Sequence, residues 1–293
     1  MPIVQIIINV ILSSAIYLLV ALSFTLIYFS TKFFNLTHAI IITSGAYLTF
    51  WLFKQLFFPF AVSIAFALIL SIGLGIATEL FIFRPLRKKS IHSLLLFIAS
   101  LGLYIILQNI ISLLWGDSTK SIRIGGIKVG NEILGAYFTN TQIVIISVSV
   151  VLVILIAVFL RFYKMGRQIK AVSSNEGLSN IFGINTNRIV FWSFAIGSAM
   201  ASVAGILVAY DRNMTPTMGF NLLLYGIVVM IIGGVNSLWG LVWGSLLIAL
   251  AQNLAAFYIS SQWMNGITYI ILIIFLIWKP LGFSGKRLKK VDI

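Results

Sequence analysis

Residues 161–188 read RFYKMGRQIKAVSSNEGLSNIFGINTNR, the longest polar interval between two strongly apolar runs in the chain. Five of its side chains are basic (Arg161, Lys164, Arg167, Lys170, Arg188) and one is acidic (Glu176). A bilayer crossing takes about 20 mostly apolar residues, and the flanking runs, 141–160 and 189–210, both meet that length. The stretch is therefore a water-facing loop in a membrane bundle. Within it, 168–173 suits a short helix. Asn175 and Glu176 offer an N-terminal cap for a second helix that starts at Gly177, and Gly183 can end it. Leu178, Ile181 and Phe182 then share one helical face among charges. Such a knob suits insertion into a groove on another protein. The alternative is an amphipathic helix on the lipid surface, its bases toward anionic headgroups.

Composition gives the same class. Hydrophobic residues are 60% of 293, charged residues 9%, and the mean hydropathy is +1.10. A soluble domain carries about 25% charged residues, so the chain is expected to be an all-α, polytopic membrane bundle. The net charge of +14 does not point to nucleic acid, because the Lys and Arg sit in short gaps between apolar runs rather than on one arm. That is the pattern by which positive charge fixes membrane orientation. No cysteine is present, which removes disulfides, thiolate metal sites and cysteine nucleophiles. The first basic residue is Lys32, so the opening apolar run lacks the charged start of a cleavable signal and is expected to be a retained span.

Nine spans are expected, at 3–29, 36–53, 60–83, 93–115, 141–160, 189–210, 221–232, 241–260 and 266–278, the seventh and ninth short. Lys32, the four bases of 84–89, the five of 161–188 and the five of 279–290 place fifteen of the twenty Lys and Arg on one side. That side is expected to be cytoplasmic, with the N-terminus outside and the C-terminus inside. The expected organisation is one permease-like domain, 1–293, with a cytoplasmic loop at 161–188, an external loop at 116–140 and a basic cytoplasmic tail at 279–293. The external loop, rich in glycine and without a helical period, is expected to hold turns or short strands. Helices one to four and six to nine could be inverted repeats, the common transporter plan. Phe34-Asn35-Leu36 and Phe220-Asn221-Leu222 are a faint echo of one. Gly240 and Gly244, and the stripe Gly197, Ala201, Ala204, Gly205, suit close helix packing.

Catalytic chemistry has little material. Glu79 is the one acid inside a span, and pairing with Arg84 or Arg87 is preferred to a proton relay. His38 and His92, the only histidines, are too few for a metal site. Gly282 to Lys286 is an incomplete phosphate loop, with Pro280 and Arg287 where a glycine and a hydroxyl belong. No cofactor is implied, and ATP-driven work would need a partner.

The chain resembles the permease subunits of branched-chain amino acid ABC importers, of the shorter LivH type. The resemblance rests on IYLLVALSFTLIYFSTKFFNLTHAIIITSGAYLTF, with marks at Asn35, His38 and Gly45-Ala46-Tyr47. It continues through FRPLRKKS with SLGLYIILQN, MGRQIKAVSSNEGLSNIFGINTNRI and GGVNSLWGLVWG, in family order over nearly the whole length. The chain departs at Ala39, Ile40, Asn236 and Trp239, where a glycine, a carboxylate, a glycine and a proline are usual. The resemblance implies a non-enzymatic subunit of an importer in the bacterial cytoplasmic membrane. Its partners would be a second permease chain, two ATP-binding subunits and an extracytoplasmic solute-binding protein. Lys170, Asn175, Glu176, Gly177, Leu178, Ile181, Phe182 and Gly183 would couple to the ATPases. Asn35, Thr37, His38, Gly45, Gly233, Gly234, Asn236 and Ser237 are candidates for the solute path. The alternative for His38 is a neutral imidazole satisfied by a backbone carbonyl, and for Asn236 and Ser237 a capping role. Tyr47 and Trp239 suit packing or interface positions. The rival cargo is urea, an amide or another small polar solute. The rival classes are a gradient-driven carrier or channel, and a scaffold.

Overall fold

The computed structural model describes residues 2–89, 91–123, 130–133, 136–235, 237–279 and 282–283. Lipid offers backbone groups no partner, so each long apolar run closes its hydrogen bonds on itself as a helix. In chain order these are α1 (Pro2–Thr31), α2 (His38–Phe50), α3 (Phe60–Thr78), α4 (Arg84–Lys88), α5 (Ser93–Trp115) and α6 (Asn140–Phe162). Then come α7 (Lys164–Ser174), α8 (Glu176–Ile181), α9 (Thr186–Asp211), α10 (Met218–Gly233), α11 (Leu238–Tyr258) and α12 (Met264–Trp278). A π-helical turn, Glu79–Phe83, joins α3 to α4, and another, Trp51–Gln55, extends α2. Between α5 and α6, β1 (Asn131–Ile133) pairs antiparallel with β2 (Ala136–Phe138). The Tyr137 amide donates to Gln5 Oε1 at 2.9 Å, tying this hairpin to the start of α1.

Seven helices are long and apolar enough to cross a membrane: α1, α3 with α4, α5, α6, α9, α11, and α12 with its leading 3-10 turn. The other two expected spans correspond to α2 and α10, both shorter. The expected second span began at residue 36, but helix starts only at His38. Lys32 takes a positive φ of 56° and turns the chain out of α1, leaving 32–37 non-helical.

α9 is the hub, packed against α1, α2 and α3. Its small-residue stripe makes that possible. A Cβ on Gly197 would lie 2.9 Å from the Ser23 carbonyl of α1, and one on Gly205 would collide with the Ile42 carbonyl of α2. Close backbone approach replaces hydrophobic driving force in lipid. Gly244 of α11 likewise sits against Gly233 of α10. The outer helices carry the apolar faces that meet lipid, such as Ile106 and Leu113 on α5 and Val151 and Leu155 on α6. Glu79 is buried and accepts two hydrogen bonds from Arg87, so the carboxylate is neutralised by the expected kind of partner.

Candidate functional site

Two helices break inside the bundle in the same way. α1 ends at Thr31 and α2 starts at His38; α9 ends at Asp211 and α10 starts at Met218. Equal gaps, 32–37 and 212–217, separate each long helix from a short one. The starts of the short helices meet. The Gly219 amide donates to Thr43 Oγ1 at 3.2 Å, and a Cβ on Gly219 would overlap the Ala39 carbonyl. From there α2 leads toward α3, whose Phe60 ring lies 5.5 Å from Tyr210 at the end of α9. α10 leads the other way, to the 235–241 turn that shares a cavity with α7. Two half-helices thus begin back to back with their N-terminal dipole ends together, an arrangement transporters use at the centre of the membrane. The tripeptides Phe34–Leu36 and Phe220–Leu222 do not correspond in this frame: one lies in a gap, the other inside α10.

A non-helical segment can lie in the bundle only if its polar groups are satisfied. Ser100 of α5 does this. Its Oγ accepts from the Leu36 amide at 3.0 Å, and its carbonyl accepts from Thr37 Oγ1 at 2.8 Å. Asn35 Oδ1 accepts from the Thr37 amide at 3.1 Å. His38 Nε2 lies 3.1 Å from Ser23 Oγ of α1. Asn35, Thr37 and His38 are each 1% exposed, so their polar atoms face protein partners. The partner of His38 is a hydroxyl, not the backbone carbonyl considered from sequence. Neither Ser100 nor Ser23 stands out in the sequence, where each is one serine in an apolar run.

The other candidates fall elsewhere. Gly45 lies farther along α2, packed on Ser202 of α9. Tyr47 is buried, its ring 5.7 Å from Trp115, and Trp239 is exposed. Gly233 and Gly234 end α10, Gly234 with a φ of +88°. Ser237 caps α11, its Oγ accepting from the Gly240 amide at 3.0 Å. Asn236 lies outside the described residues. Beside this turn is a cavity of about 640 Å³ between α1, α6, α7 and α11, with Lys32, Lys170, Ser173 and Ser237 in its wall. Lys32 Nζ donates to Ser173 Oγ at 3.1 Å. Loss of hydration there lowers the Lys32 pKa from the ordinary lysine value.

The central loop folds as two helices. α7 starts earlier than the expected 168, at Lys164, because Gly166 lets it press on the Phe159 carbonyl of α6. Ile169 and Val172 are buried beneath it, while Lys170 is exposed. Asn175 Oδ1 accepts from the Leu178 amide at 3.0 Å, capping α8 as read from sequence. Gly183 leaves the helix with a φ of +77°. On α8, Leu178 is 53% exposed, Ile181 80%, and the adjoining Phe182 81%, while Glu176 and Gly177 are also at the surface. Across the molecule, the Lys120–Met214 bridge and the Arg123 hydrogen bond to the Asp211 carbonyl tie the α5–α6 connection to the 212–217 gap.

A buried polar seam was not read from the sequence. Tyr17 of α1 donates to Gln252 Oε1 of α11, and Gln252 Nε2 donates to Thr268 Oγ1 of α12 at 2.7 Å. Ser14 Oγ and Ser245 Oγ lie 3.0 Å apart nearby. The partners are hundreds of positions apart in the chain, so no local pattern signals them.

Comparison with known proteins agrees with this architecture. The high-affinity branched-chain amino acid transport system permease protein LivH of Escherichia coli K12 is 28% identical over 92% of this chain and 91% of its own length. The corresponding protein BraD of Pseudomonas aeruginosa is 27% identical, covering 92% of each chain. A probable LivH of Methanocaldococcus jannaschii is 26% identical over 96% of this chain and 92% of its own. Among solved structures, PsaBC from Streptococcus pneumoniae in complex with Fab shares 14% identity at a TM-score of 0.48, covering 92% of this chain and 90% of that one, a likeness too loose to carry an argument. The family model described as branched-chain amino acid transport system / permease component matches residues 6–277. The chain is a multi-pass membrane transport subunit, and it belongs to the family of branched-chain amino acid ABC transporter permeases.

Proposed function

We propose that this chain forms half of the path by which a branched-chain amino acid enters the cell, driven by ATPases that dock on α7 and α8. A second permease, related in sequence, supplies the other half. Two ATP-binding subunits sit on the side of Lys170, and an extracytoplasmic solute-binding protein delivers cargo on the side of Arg123 and Met214. The membrane is the cytoplasmic one, with the N-terminus outside and the C-terminal tail inside. The observation that carries this reading is α8 with Phe182: three large apolar side chains held in water by a capped helix, on a base, α7, that is wedged into the bundle. Exposed apolar anchors in a charged rim suit a protein groove.

Closure of the ATPases would push α7 against α1 and α6, which it contacts directly. That movement would tilt the bundle about the paired breaks at 32–37 and 212–217 and alternate access to the path. Asn35, Thr37, His38 and Gly45 shape the break from the α2 side. Gly233, Gly234, Asn236 and Ser237 shape the end of α10. The test is Leu178→Asp combined with Phe182→Asp in the assembled complex in proteoliposomes. ATPase docking and ATP-driven leucine uptake should both be lost. If both survive, the loop is not the coupling element.

A further inference from the structure

The cavity between α1, α6, α7 and α11 has two unlike walls. Leu22, Leu26, Leu160 and Leu241 form an apolar side. Lys32, Lys170 and the hydroxyls of Ser173 and Ser237 form a polar, cationic side. At about 640 Å³ it falls in the range of small-molecule sites, roughly 300–1,000 Å³. No Asp or Glu occurs among the described lining residues. A zwitterionic amino acid would bring an ammonium group with no carboxylate to meet it, next to two lysines. A ligand with net negative charge and an apolar body would match both walls.

We propose that this cavity binds an amphipathic anion, its phosphate or carboxylate head between Lys32 and Lys170 and its apolar body against the leucines of α1, α6 and α11. Such a ligand would bridge α1 to α7, because Lys32 follows α1 directly and Lys170 lies on α7. It would thereby stiffen the base of the coupling helices. Two sources share this chemistry: an anionic phospholipid of the adjacent leaflet, or a soluble organic acid.

The experiment uses the purified full chain in nanodiscs and reads binding, not transport, so its outcome is independent of the ATPase reading. One arm measures phosphatidylglycerol retained from a phosphatidylcholine background by native mass spectrometry. A second measures 4-methylpentanoate by equilibrium dialysis, and a third measures leucine as the zwitterion. Lys32→Gln with Lys170→Gln should lower anion occupancy about tenfold, the loss of one charge-assisted contact. Lys32→Arg with Lys170→Arg should restore it, which also shows that the site still folds. Lys88→Gln with Lys89→Gln, an equal charge change on α4, should leave occupancy unchanged. Retained phosphatidylglycerol alone names the lipid source, and bound 4-methylpentanoate names the soluble one; either supports the proposal. Binding of neither anion, equal binding in the Gln variant, or leucine bound as tightly as the anion would overturn it.

Discussion

Ser100→Ala tests the support of the broken helix most sharply. In the native chain the Ser100 hydroxyl accepts from the Leu36 amide, and Leu36 is 6% exposed. Alanine keeps the α5 helix but leaves that N–H without a partner, away from water. An orphaned buried donor costs about 1–3 kcal/mol, and local opening free energy falls by the same amount. That corresponds to a loss of hydrogen-exchange protection of about 5- to 150-fold. It should be confined to residues around 34–38, since the Thr37 hydroxyl still reaches the Ser100 carbonyl. The assay is hydrogen–deuterium exchange with mass spectrometry on the full chain in nanodiscs, resolved to peptides covering 32–40. Ser149→Ala is the control, because Ser149 is equally buried and its hydroxyl has no partner. Unchanged protection at 34–38 in Ser100→Ala, or an equal loss in Ser149→Ala, would refute the assignment of Ser100 as the strut of the break.

Other substitutions probe the remaining links. Gly205→Leu drives a side chain into the Ile42 carbonyl and should destabilise the α2–α9 contact by about 1–3 kcal/mol, read as a lower melting temperature in detergent. Asn175→Ala removes the α8 cap and should cost about 1 kcal/mol locally, seen as faster amide exchange at 178–182 with the spans unaffected. Glu79→Gln leaves the Arg87 guanidinium without its carboxylate in a part-buried setting. It should lower thermal stability more than Glu79→Gln paired with Arg87→Met, because an isolated buried charge is worse than none.

The positions of the spans are legible in the sequence because hydropathy is a local property. Ser93–Trp115 agrees with the residues expected to the ends, and the Asn175 and Gly183 signals of α8 are legible for the same reason. What escapes is whatever depends on a distant partner. The break before His38 is held by Ser100 and Ser23, and the Tyr17–Gln252–Thr268 seam joins the first helix to the last two; in both, the serine, threonine and glutamine side chains look ordinary in their own surroundings. Asn35, Thr37 and His38 do mark a special place in the chain. The structure shows what makes that place special: their hydrogen bonds hold an unwound segment at the start of α2.

The central claim is that the α8 knob lies outside the bilayer and is covered by an ATPase. With no native cysteine, Phe182→Cys gives a single label site for a membrane-impermeant maleimide in the assembled complex. The account predicts no labelling in intact cells, labelling in inverted vesicles stripped of ATP-binding subunits, and protection when those subunits are restored. Labelling from outside intact cells, or labelling undiminished by the ATP-binding subunits, would contradict it.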